Sequence, residues 1–232
     1  MVDLHSHLLF NIDDGAQSLE EAVEILKKAY NAGIRKMMVT PHFEIGEDVE
    51  EFAHRRERRL EALKAAAKDA NIDICLKAGA EVYITKELFN EDKLDSLLFE
   101  GTRVMLSEFK YHSVKAEDFL DYIDYLIKKD ITVLVAHPER YSYLMEDGRL
   151  LNALIDRGAL LQVNAISLFE DSEEGEFARF LVKNSLASVI ASDIHHPSSR
   201  RLKAMAKLGE SGAEYVRRAL EDIPDKIFEG VL

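Results

Sequence analysis

The 232-residue chain has no tryptophan, one cysteine, four prolines and only two glutamines, and none of its apolar runs approaches the roughly 20 residues that cross a bilayer. Each shortage removes a class of function. A lone Cys75 has no partner for an internal disulfide. Nor is it the nucleophile of a cysteine-based phosphatase loop, in which an arginine six positions further on grips phosphate, because Glu81 stands there. Its apolar, strand-like surroundings predict a buried structural thiol. With 47% hydrophobic residues and 11 glycines, the composition is that of one globular domain over residues 1–232, neither disordered nor collagen-like. The opening MVDLHSHLLF lacks a basic leader segment and a small-residue cleavage site, which predicts a cytoplasmic protein without membrane insertion. Scarce glutamine beside abundant Lys, Glu and Arg leans towards a warm-living source.

Positive charge is also in short supply. Thirty basic against 43 acidic residues leave a net charge of −13, which argues against a nucleic-acid binder that works by neutralising phosphates. Carboxylates that hold metal ions do not repel a phosphate, however, so an anionic substrate stays open.

Seven short β-branched or apolar stretches read as strands: Val2 to His5, Lys36 to Thr40, Ile72 to Ala78, Arg103 to Phe109, Thr132 to Ala136, Leu160 to Asn164 and Ala187 to Ser192. Amphipathic helices lie between them, at about Val49 to Asp69, Ala116 to Lys129, Asp147 to Arg157, Gly175 to Asn184 and from Ser198 on. The clearest opens with the capping box Ser18-Leu19-Glu20-Glu21, is expected to bury Leu19, Val23, Leu26 and Tyr30, and ends at Gly33. Repeated strand–helix–strand units require a parallel sheet, and seven of them favour closure into an α/β barrel over a doubly wound sheet, although periodicity alone does not separate the two. The arginine-rich stretch Glu50 to Arg59 is either a solvated face or a subunit contact, and Glu44 to Glu51 carries no readable pattern.

His5-Ser6-His7 ends the first strand, and alternation puts both imidazoles on one face. The other chemically unusual residues stand at or just past strand ends: Asp13-Asp14-Gly15 in the loop after the first, then His42, Glu81, Glu108 closing the fourth, His137-Pro138-Glu139-Arg140 and Ser192-Asp193-Ile194-His195. In a parallel α/β barrel these C-terminal ends meet at one mouth. Five of the eight histidines (His5, His7, His42, His137, His195) and four carboxylates (Asp14, Glu81, Glu108, Asp193) are too many for one ion of about four to six ligands and enough for two or three. Such donors suit Mn²⁺, Fe²⁺ or Zn²⁺, and the lack of thiolates argues against a closed structural zinc site. Asp13 and Glu139 read as caps or supports of the ligands, and His54, His112 and His196 as surface residues. Arg140 and Arg200, both expected to border the mouth, offer planar donors for a phosphoryl oxygen.

The motifs HSH, TPHF, GAE, SEF, AHPER and SDIHH, in order from residue 3 to about residue 200, resemble the PHP (polymerase and histidinol phosphatase) family. DLHSHLLFNIDDGAQS, GAEVYIT, AHPERY and SDIHHPSSR are most similar to its bacterial manganese-dependent protein-tyrosine phosphatases of capsular and exopolysaccharide regulation, and Asp14 in DDG, where many other members have His, is the most specific element. The resemblance implies a distorted (β/α)7 TIM-like barrel with three divalent ions, manganese first and iron or zinc as other candidates. His5, His7, Glu81 and Asp193 would hold one ion, Glu81, Glu108 and His137 a second, and Asp14, His42 and His195 a third. Arg140 and Arg200 would contact phosphate. The implied activity is phosphomonoester hydrolysis by metal-activated water on a phosphotyrosine protein, a bacterial tyrosine kinase, with His42, His195 or Asp14 as candidate proton donors. Histidinol-phosphate or another small-molecule phosphatase on the same barrel is the nearest rival. A non-catalytic peptide-binding module and an amidohydrolase stand further off.

Overall fold

The computed structural model describes residues 1–112 and 115–232. Strands β1 (Val2–Asp3), β2 (Lys36–Val39), β3 (His42–Glu44), β4 (Cys75–Ala78), β5 (Glu81–Tyr83), β6 (Val104–Glu108), β7 (Thr132–Ala136), β8 (Leu160–Asn164) and β9 (Val189–Ala191) are joined largely through helices. All pairings are parallel, in the orders β1-β2-β4 and β3-β5-β6-β7-β8-β9. β2 with β3, and β4 with β5, are two halves of interrupted strands, so the nine pieces make seven staves.

A single parallel bridge between Ser6 and Ile194 joins the first stave to the last, with backbone bonds from Asp193 N to His5 O and from His7 N to Ile194 O, both 2.9 Å. These bonds close the seven staves into a barrel. The closing seam is thin, and the fully buried Asp3 reinforces it by accepting from Ser192 N at 2.9 Å. Inside the ring Leu4, Met38, Leu106, Leu134, Ala136 and Ala191 form a small core that Ile227 and Phe228 plug at the strands' N-terminal ends. A larger apolar layer lies between staves and helices. With the lower end filled, the C-terminal ends are left for chemistry.

Helix α1 (Leu19–Asn31) starts at Ser18, whose hydroxyl accepts from Glu21 N, while Glu21 reaches back to Gln17 N. Its buried face differs from the expectation: Ala22, Ile25, Leu26 and Ala29 are buried, and Leu19, Val23 and Tyr30 only partly so. The two alanines flank Ile25 and Leu26 in the buried face, and Leu19, Val23 and Tyr30 lie at its edges. Helix α2 (Val49–Asp69) is capped by Asp48, which accepts from Glu50 N and Glu51 N. The stretch Glu44 to Glu51 is therefore a strand end, a turn with Gly46 at φ 114°, and a helix start. Arg56 leaves the solvated face of α2 to donate to the carbonyls of Gly79 and Ser96 at 3.0 and 2.9 Å.

Cys75 is exposed, against expectation. Along β4, Leu76 and Ala78 face inward and Cys75 occupies the outward phase of the alternation. His42 and Glu81 likewise do not sit in loops, since they begin β3 and β5 after short interruptions at Pro41 and Gly79-Ala80. They are register partners, which sets two of the candidate ligands side by side.

Asp3→Ala leaves the buried Ser192 N–H without an acceptor at the seam. We expect a loss of about 1–3 kcal/mol by urea denaturation, and a smaller loss for Asp3→Asn, which keeps an oxygen in place; equal stability of all three proteins would remove Asp3 from the seam.

Candidate metal centre

His5 and His7 are fully buried with their Nε2 atoms 3.1 Å apart. The Nδ1 of His5 faces Gln162 Oε1 at 2.8 Å and that of His7 faces Asp13 Oδ2 at 2.7 Å. Both partners are acceptors, so each Nδ1 donates and each Nε2 turns its lone pair to the shared space. Glu81 Oε2 lies 3.1 and 3.3 Å from the two Nε2 atoms, and Asp193 Oδ1 lies 3.5 and 3.6 Å away. Four electron-pair donors thus converge in a buried space. Only positive charge makes such an arrangement stable: protons on the rings, or a divalent ion among them.

The charge balance of the site makes the same demand. Burial works against a charged imidazole, yet Glu81 and Asp193 hold His5 up to about 9. Against equal burial, the bond to Asp13 and the nearness of Glu81 also hold His7 up to about 9. Glu81 itself, although buried, is kept well below the carboxylate range by His5, His137 and His42. His195 goes the other way, to about 4, because burial and the neighbouring His7 disfavour its cation. That ring is neutral and ready to coordinate at any working pH.

Ligand atoms of His5, His7 and Glu81, of His42, Glu81 and Glu108, and of His7, Asp14, His42 and His195 form three groups, each within 4.8 Å. Glu81 joins the first two. His137 Nε2 also meets Glu81 Oε1 at 2.9 Å and Glu108 Oε1 at 3.7 Å, while the side chain of Asp14, 74% exposed, stands 3.5 Å from His42 and from His195. All nine candidate ligands therefore meet at one mouth, in a set of imidazoles and carboxylates without thiolate that fits Mn²⁺, Fe²⁺ or Zn²⁺. Two of them, His137 at φ 31° and Asp193 at φ 52°, hold left-handed backbone conformations that side chains rarely adopt. Gly15 lies so close that a Cβ there would overlap the carbonyl oxygen of His7.

The mouth opens into a cavity of about 370 Å³ walled by Tyr111, Arg140, Ser199 and Arg201 and by seven of the nine candidate ligands, His5 and His7 lying buried behind it. Arg140 lies in the turn Pro138–Arg140, its Nη2 3.6 Å from Asp193 Oδ2. The second arginine departs from expectation: Arg200 is exposed and outside the cavity wall, whereas Arg201 Nη1 donates to Asp193 Oδ2 at 2.6 Å. Arg200 is the cap residue and Arg201 the first residue of the helix Arg201–Gly209, and one helical step turns a side chain by about 100°. Asp13 supports His7 and also accepts from His42 N at 3.0 Å; burial opposes its charge, but the bond to His7 takes it down to about 2. Glu139 is fully buried and accepts from Asn164 N and Ser167 Oγ. His54 and His112 are exposed, and His196, also exposed, borders the cavity.

Sequence reasoning missed Tyr111, Gln162, Asn164 and Arg201. Tyr111 donates to Glu108 Oε1 at 2.6 Å. Gln162 and Asn164 had a signal, two polar residues on the same phase of the otherwise apolar strand Leu160–Asn164.

A protein-family description, capsular polysaccharide synthesis CpsB/CapC, matches residues 1–229. The tyrosine-protein phosphatase CpsB of Streptococcus pneumoniae is 30% identical over 215 residues, covering 86% of this chain and 85% of its own. The tyrosine-protein phosphatase YwqE of Bacillus subtilis is 30% identical over 211 residues, covering 90% and 82%. Among solved structures, one from a study of YwqE of B. subtilis and CpsB of S. pneumoniae, metal-dependent tyrosine phosphatases, superimposes with a TM-score of 0.85 at 25% identity over 100% of this chain and 96% of the other. The histidinol phosphate phosphatase of Lactococcus lactis shares the fold, at a TM-score of 0.55 and 16% identity over 90% and 95% of the two chains.

In the ion-free protein the His5 and His7 rings hold protons at neutral pH, and an ion taking both Nε2 atoms must expel them. Mn²⁺ affinity is expected to rise with pH up to about 9 and then level off, by up to ~100-fold per pH unit if both protons leave together. Calorimetry at neutral pH in two buffers of different ionisation enthalpy reads the expelled protons; affinity that does not change with pH would contradict the assignment.

Proposed function

The chain belongs to the CpsB/CapC family of capsular polysaccharide synthesis, and from that premise we propose that it is a metal-dependent protein-tyrosine phosphatase, residues 1–232 acting as one PHP-type domain. The observation that carries the reading is the convergence of nine candidate nitrogen and oxygen ligands, seven of them lining one cavity together with two arginines. His5, His7, Glu81 and Asp193 hold one ion, Glu81, Glu108 and His137 a second, and Asp14, His42 and His195 a third, with manganese as the first candidate. When bound, such ions activate water near neutral pH and neutralise phosphoryl charge.

The chain's own residues supply position and charge. Arg140 stays cationic, because the charge of Asp193 outweighs its burial, and its guanidinium can hold two phosphoryl oxygens at once. Arg201 takes the second phosphate contact in place of Arg200. Asp193 divides its oxygens: Oδ2 receives Arg201 and Asn164, and Oδ1 faces the imidazoles. Tyr111, with its ring beside His137, walls the side of the cavity where an aryl group would leave. A phenolate departs readily, so little proton donation is needed. No cysteine takes part, Cys75 lying on β4 outside the cavity wall.

The substrate is a phosphotyrosine protein, a bacterial tyrosine kinase of polysaccharide synthesis, met in the cytoplasm. Among the described residues no helix is long and apolar enough to cross a membrane. Histidinol phosphate remains the alternative substrate, with a structural relative that shares only the fold.

Phosphate release from a tyrosine phosphopeptide is expected with Mn²⁺ and abolished by EDTA, with histidinol phosphate turned over poorly; turnover of histidinol phosphate alone would overturn the reading. At saturating Mn²⁺, Arg140→Ala and Arg201→Ala should each lower kcat/KM by about 10²–10³-fold, while Arg200→Ala stays within about threefold of wild type. The reverse order of the last two would return the phosphate contact to Arg200.

A further inference from the structure

One of the chain's two glutamines is wholly buried beneath the ligands, where few sequences would place an amide without a task. Gln162 and Asn164 lie two residues apart on β8, both with no exposed surface, between the ligands Asp193 and His5. Asp193 is an ionised carboxylate and only accepts, so the atom 2.9 Å from its Oδ2 is the Asn164 amide nitrogen. Asn164 Oδ1 therefore faces Gln162 and accepts from Nε2 at 2.9 Å. That turns Gln162 Oε1 to His5 Nδ1 at 2.8 Å, with the His137 backbone N–H also on it at 3.3 Å. Each orientation dictates the next, and reversing either amide would set like against like where no water reaches. Glu139 fixes the strand beneath by accepting from Asn164 N at 2.9 Å.

We propose that Gln162 and Asn164 are positioning residues, a buried relay of two neutral amides that fixes the proton of His5 on Nδ1 and the rotamer of Asp193, and so presets two ligands of one ion from a single strand. Neutral amides suit the place. They pass the orientation of a carboxylate to an imidazole without adding charge beneath Glu81. The inference rests on the metal assignment above and not on the substrate.

The test is Mn²⁺ affinity, read from the electron spin resonance of the free ion, for wild type, Gln162→Leu, Asn164→Leu and the double variant, with the melting temperature of each ion-free protein alongside. The relay predicts a loss of about 10–100-fold in the tightest site for either single variant. It also predicts no further loss in the double variant, because the two amides act as one unit. Gln162→Glu keeps an acceptor opposite His5 Nδ1 but sets an oxygen against Asn164 Oδ1, so it should recover only part of the affinity lost by Gln162→Leu. Gln162→Met, of similar length and without the amide, takes the place of a leucine variant that does not fold. Affinities within about threefold of wild type in both single variants, or losses that add in the double variant, would overturn the relay. Wild-type protein that binds no Mn²⁺ would overturn the functional reading along with it; normal wild-type binding unmoved by the variants would overturn the relay alone.

Discussion

A carboxylate buried to within 1% of full enclosure, Glu81, sits with four imidazoles within 3.3 Å of its two oxygens, those of His5, His7, His42 and His137. A lone negative charge at such depth is expensive unless cations and hydrogen bonds surround it, and the upper half of the barrel supplies both. The interruption between β4 and β5 has its part in this. Gly79 packs so closely on Phe99 and Met38 that a side chain there would collide with them, and the resumed strand puts Glu81 in register with His42. Barrel closure depends on the same region, since the seam that joins the first stave to the last runs through His5 to His7 and Asp193 to Ile194, the segments that carry candidate ligands. Fold and site are made by the same few bonds.

This arrangement also reconciles the charge of the molecule with its substrate. A net charge of −13 would repel a phosphate, but the acids at the mouth are neutralised by imidazoles and arginines, and by ions once bound. Asp193 alone is touched by Arg140, Arg201 and Asn164. The left-handed conformations of His137 and Asp193 belong to the same economy: the backbone accepts strain where a side chain must be aimed at a fixed point.

Most of the barrel was legible because its signals are local and periodic. Each of the seven expected stretches holds a strand, though β3 and β5, the second halves of two staves, lie beyond them, and α2 spans Val49–Asp69 as its amphipathic pattern indicates. The candidate ligands were legible because histidines and acids recur at successive strand ends, which a parallel barrel gathers at one mouth. What escaped depends on phase or on packing. Cys75 lies in an apolar run yet takes the outward phase of a strand whose register β2 sets. The buried face of α1 is Ala22, Ile25, Leu26 and Ala29, one helical step away from the expected Leu19, Val23 and Tyr30. Arg200 and Arg201 are adjacent and alike, and only the start of a helix selects the one that enters the cavity. Gln162 and Asn164 carry no chemistry of their own, and their partners are remote in sequence.

The central claim is that these converging donors exist to hold divalent ions around Glu81. Anomalous diffraction at the manganese edge from crystals grown with Mn²⁺ tests it most directly. The account predicts three peaks in the cavity, two of them within coordinating distance of Glu81; a cavity with no peak beside Glu81 would contradict it.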